Sequence, residues 1–279
     1  MPIHDQGYRR YGGGKSPRGQ SWLVIARSGI RTMLQKRAFL GLLLVSWFPF
    51  FVRAVQIYAA ANVPQAAFLA PTAETFRQFL DQQEIFAFFI TVYVGAGLIA
   101  NDRRANALQI YLSKPLTRAE YIFGKLAILM TFLLFVTWIP AIVLLIVQIA
   151  FAGNFTFFTN NLYLFPAITV FAFIQVILVS SAMLALSSLS NSSRYVGILY
   201  TAVLFFTQAI YGVIYAVTRS SMLAWVSFSA NLSQIGDVIF RLPHKYDTPW
   251  PISFVVIAAT IAVAAFVLDR RVRGVEVVA

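Results

Sequence analysis

Six long apolar runs alternate with polar segments along the 279 residues, at about 38–60, 83–100, 121–150, 162–187, 195–217 and 250–268. A bilayer core takes about 20 helical residues, so each run reads as a membrane-crossing helix, the second short and the third long enough to tilt. Pro49, Pro140 and Pro166 fall in or near these runs and are expected to kink them. Ahead of the first run, Trp22, Ile25, Ala26, Ile30 and Met33 share one arc of a helical wheel, with Arg27, Ser28, Arg31 and Gln35 opposite. That pattern predicts a basic amphipathic helix over 21–37, lying in the membrane interface as an elbow before the first span.

Two connections are longer than a hairpin needs. Residues 61–82 hold a short amphipathic run with Phe76, Phe79 and Leu80. Residues 218–249 are too apolar to float in water and too interrupted to span, so short re-entrant helices are expected there. The fold class is therefore all-α integral membrane protein. A basic tail over 1–20 and a second tail over 269–279 flank a transmembrane domain over 21–268.

The polar island between the second and third runs, NDRRANALQIYLSKPLTRAEYIFGK, spans 101–125 and carries its own helix signals. Asn101 and Asp102 are good helix starters, and Leu108, Tyr111 and Leu112 fall three and four apart on one face. Pro115 stops that helix, because a proline ring disfavours helical geometry in the residue before it. Thr117 and Glu120 then form a T-x-x-E capping box that starts the next helix. A bare connector needs fewer residues; a short helix with basic flanks suggests a surface that another subunit pushes.

Composition agrees. Hydrophobic residues make up 59%, charged residues 11%, and mean hydropathy is +0.74, where a soluble domain carries roughly a quarter charged residues. The formal charge of +12 clusters at span ends, which reads as topology and not as nucleic-acid binding. With both termini in the cytoplasm, seventeen of the 22 Lys and Arg residues lie on that side. Arg53, Arg77, Arg219, Arg241 and Lys245 are left for the other side or the span ends. The first apolar residues follow about twenty polar ones, so no cleavable signal is expected.

Several chemistries are excluded. There is no cysteine, which removes thiolate and disulfide chemistry. The two histidines, His4 and His244, lie in the tail and an outer loop, so no Ser-His pair is available within the membrane. No paired aspartates are spaced for a divalent metal. Gly12-Gly13-Gly14-Lys15-Ser16 ends like a phosphate-binding loop, but Arg9 stands where its first glycine belongs and no strand precedes it. None of the ten acidic residues falls near the middle of an apolar run, which argues against an ion-coupled carrier. Energy is expected to come from another subunit. Arg53, Gln56 and Gln208 are the polar groups within the runs that could line a pathway. Arg53 sits roughly 22 Å from the inner end of its span, where it either snorkels to headgroups or meets an anionic lipid or substrate.

The elbow, the six spans, the loop GLIANDRRANALQIYLSKPLTRAEYIFGKL and the tail LDRRVRGVEVV together resemble the permease subunit of an ABC-2 type transporter. The resemblance implies two permeases, this chain with a second copy or a paralogue, and two separate ATPase subunits. ATP and Mg would be bound by those subunits and no cofactor by this chain. It also implies that the 101–117 loop forms a coupling helix on the ATPase, with Asp102, Arg103, Arg104, Leu108, Tyr111 and Leu112 at or beside the contact. Two functions follow: export of an amphipathic or lipid-like molecule, or mechanical work on an extracytoplasmic accessory protein with nothing crossing. The uncleaved multi-span layout fits a prokaryotic cytoplasmic membrane.

Overall fold

The computed structural model describes residues 20–107, 116–152, 159 and 161–272. Among them the chain is helical with no strand. The order is α1 (Ser21–Leu34), α2 (Arg37–Val45), α3 (Phe48–Asn62), α4 (Ala73–Ile90), α5 (Gly97–Arg104), α6 (Arg118–Val136), α7 (Trp138–Ala152), α8 (Leu164–Leu189), α9 (Ser193–Thr218), α10 (Phe228–Ile239) and α11 (Trp250–Arg271). Six stretches are long and apolar enough to cross a membrane: Arg37–Asn62, Ala73–Arg104, Arg118–Phe151, Leu164–Leu189, Ser193–Thr218 and Trp250–Arg271.

Proline and hydroxyl chemistry explains two breaks within these stretches. Pro49 stands in the first turn of α3, where its missing N–H costs nothing, after a turn at Ser46 and Trp47. Pro140 cannot donate back to Val136, and α6 ends at Thr137, whose hydroxyl instead bonds the Leu133 carbonyl at 2.8 Å. Pro166 behaves differently from the expected kink. It lies in the first turn of α8, where no backbone bond is lost.

The second stretch also differs from its apolar pattern. The run with Phe76, Phe79 and Leu80 is not a separate surface segment: it is the first half of α4, and all three side chains are fully buried. A π-helical turn, Thr91–Gly95, joins α4 to α5 and lengthens the helix to Arg104. Extra residues in such a turn leave backbone groups out of register. Ser187 of α8 repairs this, accepting from the N–H groups of Ile99 (3.1 Å) and Ala100 (3.0 Å) and donating to the Ala96 carbonyl (2.9 Å). Only a glycine fits at 95, since a Cβ there would lie 2.5 Å from the Met183 side chain.

Burial sets the arrangement. Two thirds of the α8 window is buried (67%), against 17% for α9 and 22% for α11. Helix α8 is therefore the central post, while α9 and α11 turn apolar faces outward. The core divides into two layers along α8. One gathers Phe39, Leu98, Tyr121, Leu129 and Met183 near the Arg103 end. The other gathers Phe76, Leu80, Phe171, Leu232 and Phe240 near α10. Helix α1 lies against α6 at close range, because Gly29 and Gly124 leave room: a Cβ on Gly124 would stand 2.8 Å from Ile25.

Candidate functional site

Two polar constellations stand out at opposite ends of the bundle. The first lies where α5 runs out toward residues 101–117. Asp102 Oδ2 accepts from the Tyr121 hydroxyl at 2.7 Å and pairs with Lys125 Nζ at 2.6 Å. Tyr121 is fully buried and Lys125 nearly so. Arg103 donates to the Ser188 carbonyl at the C-terminal end of α8, where an arginine also complements the helix dipole. Arg104 faces solvent. The chain then turns at Asn106, which takes a left-handed φ of 52°, a conformation asparagine tolerates better than most residues. The result is a three-helix clamp that fixes the last turn of α5 to α6 and to α8.

The capping box on the far side of the loop closes in both directions. Glu120 N–H donates to Thr117 Oγ1 at 3.2 Å, and Thr117 N–H donates to Glu120 Oε2 at 2.9 Å. Both ends of the polar island are thus held on α6. Leu108, Tyr111, Leu112 and Pro115 lie outside the described residues.

A cavity of about 810 Å³ opens between α1, α5, α6 and the start of α9. Val24, Ile25, Met33, Val92 and Ile128 give it apolar lining, and Ser28, Asn101, Asp102, Lys125 and Arg194 add polar and charged groups. Its volume falls in the range of small-molecule sites.

The second constellation, at the α10 end, was not visible as a site in the sequence. Arg77 is 1% exposed. Its guanidinium pairs with Asp81, lies 3.8 Å from Asp237 of α10 and stands 4.5 Å over the Phe171 ring of α8. Lys245 adds a backbone N–H to Asp237 Oδ2 at 3.3 Å and an ammonium 3.8 Å from Asp81. Gly236 makes this approach possible, because a Cβ there would sit 2.3 Å from Arg77 Nε. Desolvation pushes the Asp237 carboxyl above the ordinary aspartate range, while Arg77 and the Lys245 N–H pull it back. The signal available in the sequence was the spacing of Arg77, Asp81 and Glu84 on one face of a helix. Glu84, at the edge of the apolar run expected over 83–100, lies well inside the helix, because the span begins at Ala73.

Of the three pathway residues, the structure joins two. Arg53 bonds Gln56 at 2.9 Å, Gln78 at 3.3 Å and Gln82 at 3.4 Å, and Gln56 reaches the Leu69 carbonyl at 3.3 Å. Arg53 is thus half-buried against α4. Gln208 stands apart on α9, accepting from the Ser227 hydroxyl at 2.5 Å at the start of α10.

Six helices long and apolar enough to cross a membrane define a multi-pass membrane protein. The chain belongs to the ABC-2 transporter family: it matches the family described as ABC-2 family transporter protein over residues 23–239. It is thus a permease subunit of an ABC transporter, a class that typically lacks an ATPase site of its own and pairs with an ABC ATPase subunit. No curated protein matches the chain.

Proposed function

We propose that the chain is the permease of an ATP-driven exporter for an amphipathic or lipid-like substrate. A separate ATPase subunit binds ATP and Mg and hydrolyses the nucleotide. Both termini and residues 101–117 face the cytoplasm of a prokaryote, with α1 as the interfacial elbow and a second copy or a paralogue completing the pathway. The observation that carries this reading is the clamp around Asp102 and Arg103. A push on residues 104–117 meets α6 through Lys125 and Tyr121, and α8 through Ser188, so the force reaches the central post instead of bending a free loop. The adjoining cavity, lined by both apolar and charged residues, suits an amphiphile in size and chemistry.

The mechanical alternative has one observation of its own. The Arg77–Asp237 contact ties the span containing α5 to α10 at the opposite end, so movement of that helix would carry an outward-facing surface with it. Substitution of Leu108 by Glu tests the coupling that both readings share. The expected result is loss of ATPase association and of nucleotide-dependent activity, with the permease still folded. Unchanged association and activity would place the contact elsewhere and remove the coupling assignment.

A further inference from the structure

A small, mainly apolar cavity of about 60 Å³ lies between α4, α8, α9 and α10, one turn along α4 from Asp81. Glu84, Gln175, Tyr200 and Ser229 line it, with Phe88 and Leu232 among its apolar walls. At about 1.5 Å per residue, Glu84 lies some 16 Å into the helix that begins at Ala73. Among the described residues its carboxylate makes no hydrogen bond or ion pair. The Gln175 amide oxygen is equally without a partner, although the residue is only 3% exposed. Buried polar atoms are seldom left so.

The charge balance around the cavity identifies what is missing. Asp81, Glu84 and Asp237 are three carboxylates on the facing surfaces of α4 and α10, against Arg77 and Lys245. Arg77 is committed to Asp81 and Asp237, while Lys245 turns its ammonium to Asp81 and its backbone N–H to Asp237. Arg53 of α3 is turned to Gln78 and Gln82 on another face of α4. One negative charge is left over, and it falls on Glu84. A carboxylate left without a partner among apolar helices is unfavourable. The polar groups around it are oxygens of a carboxylate, an amide, a phenol and a hydroxyl. Oxygen sets of this kind suit hard cations, and a single carboxylate balances a single positive charge. At about 60 Å³ the space lies far below the size of a small-molecule site and above what one water needs, so a small ion fits.

We propose that this cavity is a binding site for one monovalent alkali cation, with Glu84 as the charged ligand and Gln175 as a neutral one. The inference goes beyond the cargo and coupling readings above and depends on neither. Thermal unfolding of the purified full chain tests it, in sodium, potassium or choline chloride at equal ionic strength and mildly alkaline pH. The same titration is run on Glu84→Gln and Gln175→Leu. The expected result is a saturable rise in midpoint with sodium or potassium over choline, whichever ion fits. Glu84→Gln, which removes a buried charge and should fold, loses that dependence. Gln175→Leu raises the half-saturating concentration about tenfold, the cost of one hydrogen-bond-sized interaction with a charge. Equilibrium dialysis with radioactive sodium or potassium should retain one ion per wild-type chain and none on Glu84→Gln. Equal midpoints in all three salts overturn the proposal, as does an alkali-ion effect that survives Glu84→Gln. Stabilisation by acid alone, without any alkali-ion effect, also overturns it and marks Glu84 as a water-solvated carboxylic acid. No readout needs ATP or transport, so failure here is separate from failure of the permease reading.

Discussion

Replacing Asp102 by Ala should destabilise the protein more than replacing both Asp102 and Lys125 by apolar residues. The pair is short, with Lys125 Nζ 2.6 Å from Asp102 Oδ2, and the two side chains are 11% and 19% exposed. Removing one partner of such a buried pair strands the other charge, which costs about 3–5 kcal/mol. Two features favour the lower end of that range. Lys125 retains the Tyr121 ring 5.5 Å away, and it borders the 810 Å³ cavity from which water can reach it. The fully buried Tyr121 hydroxyl also loses its Asp102 acceptor, so Asp102→Ala is expected to cost about 4 kcal/mol in all. The double replacement Asp102→Leu with Lys125→Met removes both charges and leaves only the loss of the Tyr121 hydroxyl's acceptor, so it should lie within about 2 kcal/mol of wild type. Unfolding titrations in mixed micelles, followed by tryptophan fluorescence, give all corners of the cycle. If Asp102→Ala stays within about 0.5 kcal/mol of wild type, the clamp is a surface ion pair of ordinary weakness and cannot carry force.

At the other end, Gly236→Ala places a methyl group against the Arg77 guanidinium, whose partners Asp81, Asp237 and Phe171 leave it no free direction. A loss of about 1–3 kcal/mol is expected in the same titration, as for other overpacked sites; no change would mean that α10 is loosely held. Thr117→Ala removes the reciprocal cap of α6 and should cost about 1 kcal/mol. Thr117→Asn should recover most of it, and equal losses for both substitutions would deny the cap.

Helix positions and caps were legible because they depend on local chemistry. The six apolar runs, the T-x-x-E box and the amphipathic pattern of 21–37 each follow from residues within a few turns of one another. What escaped was long-range pairing. Arg77 looks like a loop arginine until α10 brings Asp237 beside it, and the Phe76, Phe79 and Leu80 pattern gives no hint of whether its apolar face meets lipid or protein. The start of α4 was missed for the same reason, since Glu74, Arg77, Asp81 and Glu84 lower its hydropathy below that of an ordinary span. Such residues are tolerated because they satisfy one another across helices, and a window along the chain cannot see that. Gln208 was grouped with Arg53 and Gln56 by polarity alone; the structure gives it a different partner in Ser227.

The central claim is that this chain works as the membrane half of an ATP-driven machine. Mild-detergent purification of the tagged chain from its native host, with mass spectrometry of its partners and a vanadate-sensitive ATPase assay on the same sample, tests it most directly. The account predicts a stoichiometric soluble subunit carrying a complete phosphate-binding loop, and ATP hydrolysis by the complex. A homogeneous chain with no such subunit and no hydrolysis would contradict it.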